Sequence, residues 1–264
     1  TAADINTAYT SNAAGTITGL GNEAVTLSDT GTIAAAALLT IDAQTTGIVH
    51  AAVVTTITGT AAELNAVYAA VANGTITGLG DEAITISGSL TVPQGNTLAA
   101  QTTGVVTATI SDGDMATLAG LNETGNAYTV TVTDPSVAAS ALNTLNAKTT
   151  VPITVTSTTI TGTAADINTA YTSNAAGTIT GLGNEAVTLT DTSISASILK
   201  TLDAFTTGLI NASSVTTLTG SASDQATVRA SSGITGLPSI YILGVLTQIG
   251  SDIDGEAAYD YSGS

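Results

Sequence analysis

The chain has 264 residues, of which 43% are hydrophobic but only 9% charged and 3% aromatic, so it can bury a core built from small aliphatic side chains. Twenty acidic residues against three basic ones (Lys148, Lys200 and Arg229) give a formal charge of -17, which repels phosphate backbones and anionic lipid; no nucleic-acid partner is expected. The absence of cysteine excludes disulfides, thiolate nucleophiles and thiolate zinc sites, and no run approaches the roughly 18 apolar residues of a membrane-inserting helix.

Fifty-four Thr and 44 Ala make up more than a third of the chain, a bias typical of repetitive sequence. Residues Thr1–Leu27 (TAADINTAYTSNAAGTITGLGNEAVTL) recur without a change as Thr163–Leu189, and a divergent copy runs from Thr60 to Ile86. A second string, T-[IL]-[DNA]-A-x-T-T, begins at Thr40, Thr97, Thr144 and Thr201, which sets spacings of 57, 47 and 57 residues. Because the chain opens inside a copy, the sequence is expected to be a segment of a longer repeat protein.

Taken in chain order, capping boxes of the form [ST]-x-x-[DE] predict helix starts at Thr1, Thr60, Ser111, Thr163 and Ser221. In each, the hydroxyl accepts an orphan N–H of the first turn and the acid three residues on returns the bond. Thr-rich strands closed by Gly (Thr56–Gly59, Thr159–Gly162, Thr217–Gly220) precede three of them. Apolar spacing predicts further short helices over Thr32–Ala43, Pro135–Ala147, with Pro135 as the first helical residue, and Ser193–Ala204. Strands are expected at Ile48–Thr58, Val105–Ile110, Tyr128–Thr133, Ile153–Thr161 and Leu209–Thr219. Strand and helix thus alternate about every 26 to 29 residues, and about ten such units fill the chain.

That alternation predicts an α/β fold, a right-handed repeat solenoid of about ten strand-helix coils with a parallel sheet, continuous over 1–264. The alternative is an all-β solenoid, since short Ala-rich helices are marginal alone. The most apolar stretch, Pro238–Gly250, reads as a final helix or an assembly contact, and 238–264 as an atypical last helix with an acidic tail.

Chemistry-bearing residues are few. His50 is the only histidine, and its strand neighbours Val49 and Ala51 favour a packing or surface role over a catalytic relay; the matched position in a later unit is Asn211. The string G-L-G-[ND]-E at Gly19, Gly78 and Gly181 lacks the lysine of a phosphate loop and reads as a tight turn whose acid faces solvent. Calcium is the one ligand to carry forward: Asp112 and Asp114 flank Gly113, and Asp252, Asp254 and Glu256 surround Gly255. A helix cap in the first place and a solvated turn in the second is the competing and stronger reading. Thr pairs one residue apart (Thr16 and Thr18, Thr75 and Thr77, Thr129 to Thr133, Thr154 and Thr156, Thr178 and Thr180) would align hydroxyls on one sheet face, as on an ice-binding surface, although Thr also suits any half-exposed strand. No enzyme is expected.

The motif T-[IL]-T-G-[ST]-A-[AS]-[DE] at Thr56–Glu63, Thr159–Asp166 and Thr217–Asp224, with the near-absence of Lys and Arg, resembles the long Thr/Ala-rich repeat regions of very large bacterial cell-surface proteins, particularly those of cyanobacteria. The resemblance implies an extracellular structural or adhesive role, secretion without a cleaved signal, and a connection with calcium. The expected function is therefore a rod, filament or surface-layer or adhesin stalk that self-associates through further repeats. The alternative is a ligand-binding face for glycan, ice or calcium-dependent adhesion.

Overall fold

In the computed structural model, residues 1–239, 246–251 and 257–261 are described. Helix α1 (Ala2–Ala13) leads into β1 (Val25–Thr26) and β2 (Gly31–Ala34); α2 (Ala35–Gln44) into β3 (Val49–His50) and β4 (Val54–Gly59); α3 (Ala61–Asn73) into β5 (Ile76–Thr77) and β6 (Ala83–Leu90). Helix α4 (Val92–Ala99) precedes β7 (Val106–Ile110), and the single-turn α5 (Met115–Leu118) precedes β8 (Ala127–Thr129), β9 (Thr131–Val132) and β10 (Ser136–Ala138). The second half repeats the first: α6 (Ala139–Asn146), β11 (Ile153–Val155), β12 (Thr159–Gly162), α7 (Ala164–Ala175), β13 (Ile179–Thr180), β14 (Ala186–Leu189), β15 (Ser193–Ser195), α8 (Ala196–Phe205), β16 (Ile210–Asn211), β17 (Thr217–Thr219), α9 (Ala222–Ala230) and β18 (Ile234–Thr235). Strands β19 (Leu246–Ser251) and β20 (Ala257–Tyr261) follow.

The chain is an α/β protein of alternating strand-helix units in parallel sheets. Two five-stranded sheets, ordered β2-β4-β6-β7-β8 and β10-β12-β14-β16-β18, dominate the two halves, and in both the spatial order follows the chain. Parallel pairing requires a crossover between neighbouring strands, which the helices supply. Register is set by β-branched residues that point inward: Ile57 opposite Ile84 and Ile84 opposite Val106, then Ile160 opposite Val187 and Val187 opposite Ile210, all fully buried. One residue along, Thr58, Thr85 and Thr107 pair on the outer face, so period-2 alternation separates an aliphatic interior from a hydroxyl surface.

Helices start in two ways. Thr1, Thr60, Thr163 and Ser221 cap α1, α3, α7 and α9 by accepting the N–H three residues on, as the capping boxes predict. Helices α2, α6 and α8 instead continue directly from β2, β10 and β15, with no side-chain cap. In the 57-residue period from Thr144 the capped α7 is followed by the uncapped α8. In the one from Thr40 the capped α3 is followed by α4, where Thr91 N donates to Gln94 Oε1 at 2.9 Å. The 47-residue interval is where the short α5 unit sits.

Several expectations are corrected. The Ala-rich segments are helices, so the all-β arrangement is not adopted. The helices expected from Thr32, Pro135 and Ser193 begin only at Ala35, Ala139 and Ala196, because the β-branched and Ser-rich residues before them join the sheets; Pro135 precedes a strand, and its carbonyl accepts from Thr158 N. The long strands at 48–58 and 209–219 are each split in two by a turn closed by Val54 N to Ala51 O and Val215 N to Ala212 O. Ser111 is not a cap; Asp114 caps α5 itself, accepting from Thr117 N at 2.9 Å. Nine helices occur among the described residues, and much of 238–264, where a last helix is expected, lies outside them. Of the apolar stretch at 238–250, residues 240–245 lie outside the described residues, while Leu246–Gly250 is strand, in β19, which pairs antiparallel with β20.

Truncating the inward residues Ile84 or Ile160 to Ala is expected to destabilise the protein by about 2–5 kcal/mol, whereas Thr107→Ala on the outer face changes it by about 0.5 kcal/mol or less. Urea unfolding midpoints of the three variants measure the contrast.

Candidate functional site: the joints between units

The G-L-G-[ND]-E turn and the T-T-G string of the following unit form one repeated joint. Glycines 19, 21, 78, 80, 181 and 183 all take positive φ, which folds the turn back on itself. The phenols of Tyr9, Tyr68 and Tyr171, on α1, α3 and α7, donate to Oε1 of Glu23, Glu82 and Glu185. Oε2 of the same carboxylates accepts main-chain N–H groups of the turn: Gly21 (2.8 Å) and Asn22, Gly80 (2.6 Å) and Asp81, Gly183 (2.8 Å) and Asn184.

The next unit closes on this turn. Thr45, Thr102 and Thr206 donate their hydroxyls to the main-chain carbonyls of Glu23, Glu82 and Glu185 at 2.7, 2.6 and 2.8 Å. Thr46, Thr103 and Thr207 donate N–H to Gly21, Gly80 and Gly183. Then Gly47, Gly104 and Gly208 pass so close to those Glu carbonyls that a Cβ would overlap them. At the copy that begins at Thr144, Thr149 and Thr150 grip Tyr128 and Asn126 instead, with Thr149 Oγ1 to Tyr128 O at 2.8 Å.

The sequence reading, with the acid of this turn facing solvent, is corrected: Glu82 and Glu185 are turned inward and 2% exposed. A turn rich in main-chain N–H groups draws the carboxylate inward, and burying it is tolerable because both oxygens are satisfied. The signal that could have found it is the Tyr fourteen residues before each Glu, present in all three copies. The Tyr9 phenol, then the Gly21 N–H, hold the Glu23 carboxyl down at about 2. Burial, reinforced by the bond to Glu, pushes the Tyr68 and Tyr171 phenols well above their ordinary range, and burial lifts Tyr128 to about 12.

A second joint uses aspartate. Asp29, Asp112, Asp134 and Asp191 each follow the helix they serve and accept its first N–H: Ala2, Val92, Met115 and Ala164, at 2.6–2.7 Å. A negative charge at the positive end of a helix, on an otherwise orphan donor, fixes one unit to the next. Asp112 therefore serves α4 while Asp114 caps α5, and the two expected calcium ligands turn to different helix ends. Among the described residues no group of three or more His, Asp or Glu is brought together for a metal. Asp252, Asp254 and Glu256 lie outside the described residues.

Other surface features are simpler. His50 is exposed between Thr26 and Thr77, with Nδ1 2.9 Å from Thr77 Oγ1, and Asn211 takes the same place between Thr188 and Thr235. Thr131, Thr154 and Thr180 form a second exposed ladder across β9, β11 and β13. A hollow of about 300 Å³ opens where α5 is too short to fill the helix row, lined by Met115, Leu118, Leu145 and Lys148; the Lys148 ammonium bonds Asn122 O. No helix among the described residues is long and apolar enough to cross a membrane. No family model, curated protein or solved structure matches the chain.

Glu185→Ala removes the acceptor for three donors and is expected to cost about 1–3 kcal/mol, more than Tyr171→Phe, and Gly104→Ala is expected to destabilise by forcing the Glu82 turn apart; urea unfolding measures all three. Glu23, like the capping Asp4, Glu63, Asp114 and Asp224, has its pKa lowered by folding. Such groups stabilise above their unfolded pKa and lose that contribution as pH falls through the folded value, here between about 4.3 and 2 for Glu23. The raised tyrosines give the mirror sign, with stabilisation lost as pH rises above about 10. Melting temperature should therefore be flat between about pH 5 and 9 and fall on both sides, as calorimetry across pH would show.

Proposed function

We propose that this protein is a structural repeat module of a bacterial cell surface, whose units wind as a right-handed solenoid and extend a rod, filament or adhesin stalk. The observation that carries the reading is the repetition of the joints: the Tyr–Glu–Thr–Gly contact recurs at three places with the same partners and links one unit to the next. A site that performs chemistry is needed once, whereas a rod gains length from every copy of a joint. Catalysis has no comparable support: the acids with assigned contacts cap helices, close turns or, at Asp203, accept from Ser231 of the next unit.

The exposed Thr ladders support a second reading, a face that binds glycan or ice. Hydroxyls at the strand spacing of about 4.8 Å would present a regular polar array. In this reading the rod carries the adhesive surface as well as the length.

Small-angle scattering combined with negative-stain microscopy tests the first reading, with and without a calcium chelator. Stacking about ten units at about 4.8 Å predicts a particle roughly 50 Å long along the unit axis. Filaments or sheets in both conditions support a structural polymer without metal, and loss on chelation assigns calcium to the acidic 252–256 stretch. Discrete monomers in both conditions would remove the polymer reading and leave the Thr faces as the basis for a binding module.

A further inference from the structure

The joints repeat, but one internal place breaks the repeat. Helix α5 is a single turn, Met115–Leu118, where the capped helices α3 and α7 run to 13 and 12 residues, and the 47-residue interval falls there. The hollow of about 300 Å³ opens at this point, between α5 and α6. Leu118 and Leu145, both buried, form its floor, and the half-buried Met115 and Ala141 flank them.

The segment that follows α5 is fastened on two sides, which keeps it from folding across the opening. Asn96, on α4, donates from Nδ2 to Gly120 O at 2.7 Å and accepts at Oδ1 from Asn122 N at 3.0 Å. Beyond α6, Lys148 Nζ donates to Asn122 O at 3.0 Å.

The side chains around the hollow are among the rarest in the chain. Met115 is its only methionine, and Lys148 is one of three basic residues. A thioether side chain adapts its shape to an apolar guest. The Lys148 ammonium has three donors and spends one on a neutral main-chain carbonyl. Among the described residues the ion pairs are those of the Thr1 amine with Asp4 and of Lys200 with Asp224, so no carboxylate stands at ion-pair distance from Lys148. A cation at the rim of an apolar hollow complements a ligand with an apolar body and an anionic head. The formal charge of -17 disfavours polyanions, and a single ammonium matches a single carboxylate.

We propose that the hollow between α5 and α6 binds a medium-chain aliphatic carboxylate, with its alkyl chain against Met115, Leu118 and Leu145 and its head on Lys148 Nζ. The proposal does not depend on the polymer reading. Repeated joints serve length, whereas a binding function is needed once, and the hollow lies where the repeat is interrupted.

Because Met115 is the sole methionine, labelling with methionine carrying a carbon-13 methyl group places one NMR reporter in the hollow. Titration with octanoate, below its micelle concentration, is expected to shift that signal saturably. Octanol, which keeps the chain and lacks the charge, should bind about tenfold more weakly, and acetate should leave the signal in place. Lys148→Gln should lower octanoate affinity to that of octanol and leave octanol unchanged. Ala141→Phe fills the opening from the half-buried side of α6 and should abolish binding of both, with the urea midpoint near that of the parent. The absence of a saturable shift with octanoate overturns the proposal, and so does octanoate binding that survives both substitutions unchanged. A Met115 signal that moves with protein concentration in the absence of ligand assigns the hollow to a second copy of the chain and overturns it as well.

Discussion

The whole architecture depends on one constraint: a unit of a short helix and one or two short strands cannot bury its own apolar face. Its inward side chains, Ile84 or Ile160 for example, become fully buried only because the units on either side supply Ile57 and Val106, or Val137 and Val187. The buried side chains accordingly form one cluster that runs from Ala2 to Ile234, each unit adding to it through its neighbours. With just one Phe, no Trp and seven Tyr, the interior relies on many β-branched and Leu contacts repeated at each step.

Aliphatic pairing alone does not fix how one unit sits on the next, since Ile, Val and Leu exchange partners at little penalty. The polar joints supply that specificity. A buried carboxylate such as Glu185 tolerates its environment only with the Tyr171 phenol and the Gly183 and Asn184 N–H groups in place, so a slipped register would leave it unsatisfied. The glycine after each Thr pair sharpens the constraint by allowing backbone to lie directly on the Glu carbonyl. Aspartates on helix N-termini, as at Asp29 and Asp191, then tie the helix layer in the same direction as the strands.

The surface follows from the same design. Alternation along the strands leaves Thr outside beside many of the inward Ile and Val residues, which produces short hydroxyl ladders as a by-product of packing and a face with few charges. The acids concentrate instead at caps and turns. The chain's formal charge of -17 sets separate molecules to repel one another.

The α/β class, the period and the capped helix starts at Thr1, Thr60, Thr163 and Ser221 are legible along the chain, because hydroxyl caps, Gly stops and β-branched runs act within a few residues. The two strings that make the main joint were also visible as repeats. Only the tertiary structure decided that they meet, since Tyr171, Glu185 and Thr206 are far apart along the chain and nothing local says that the Glu turns inward. It likewise decided that Asp112 serves α4 rather than standing beside Asp114, and that Ser193–Ser195 is strand before α8 begins, because in both cases the deciding partner belongs to a neighbouring unit.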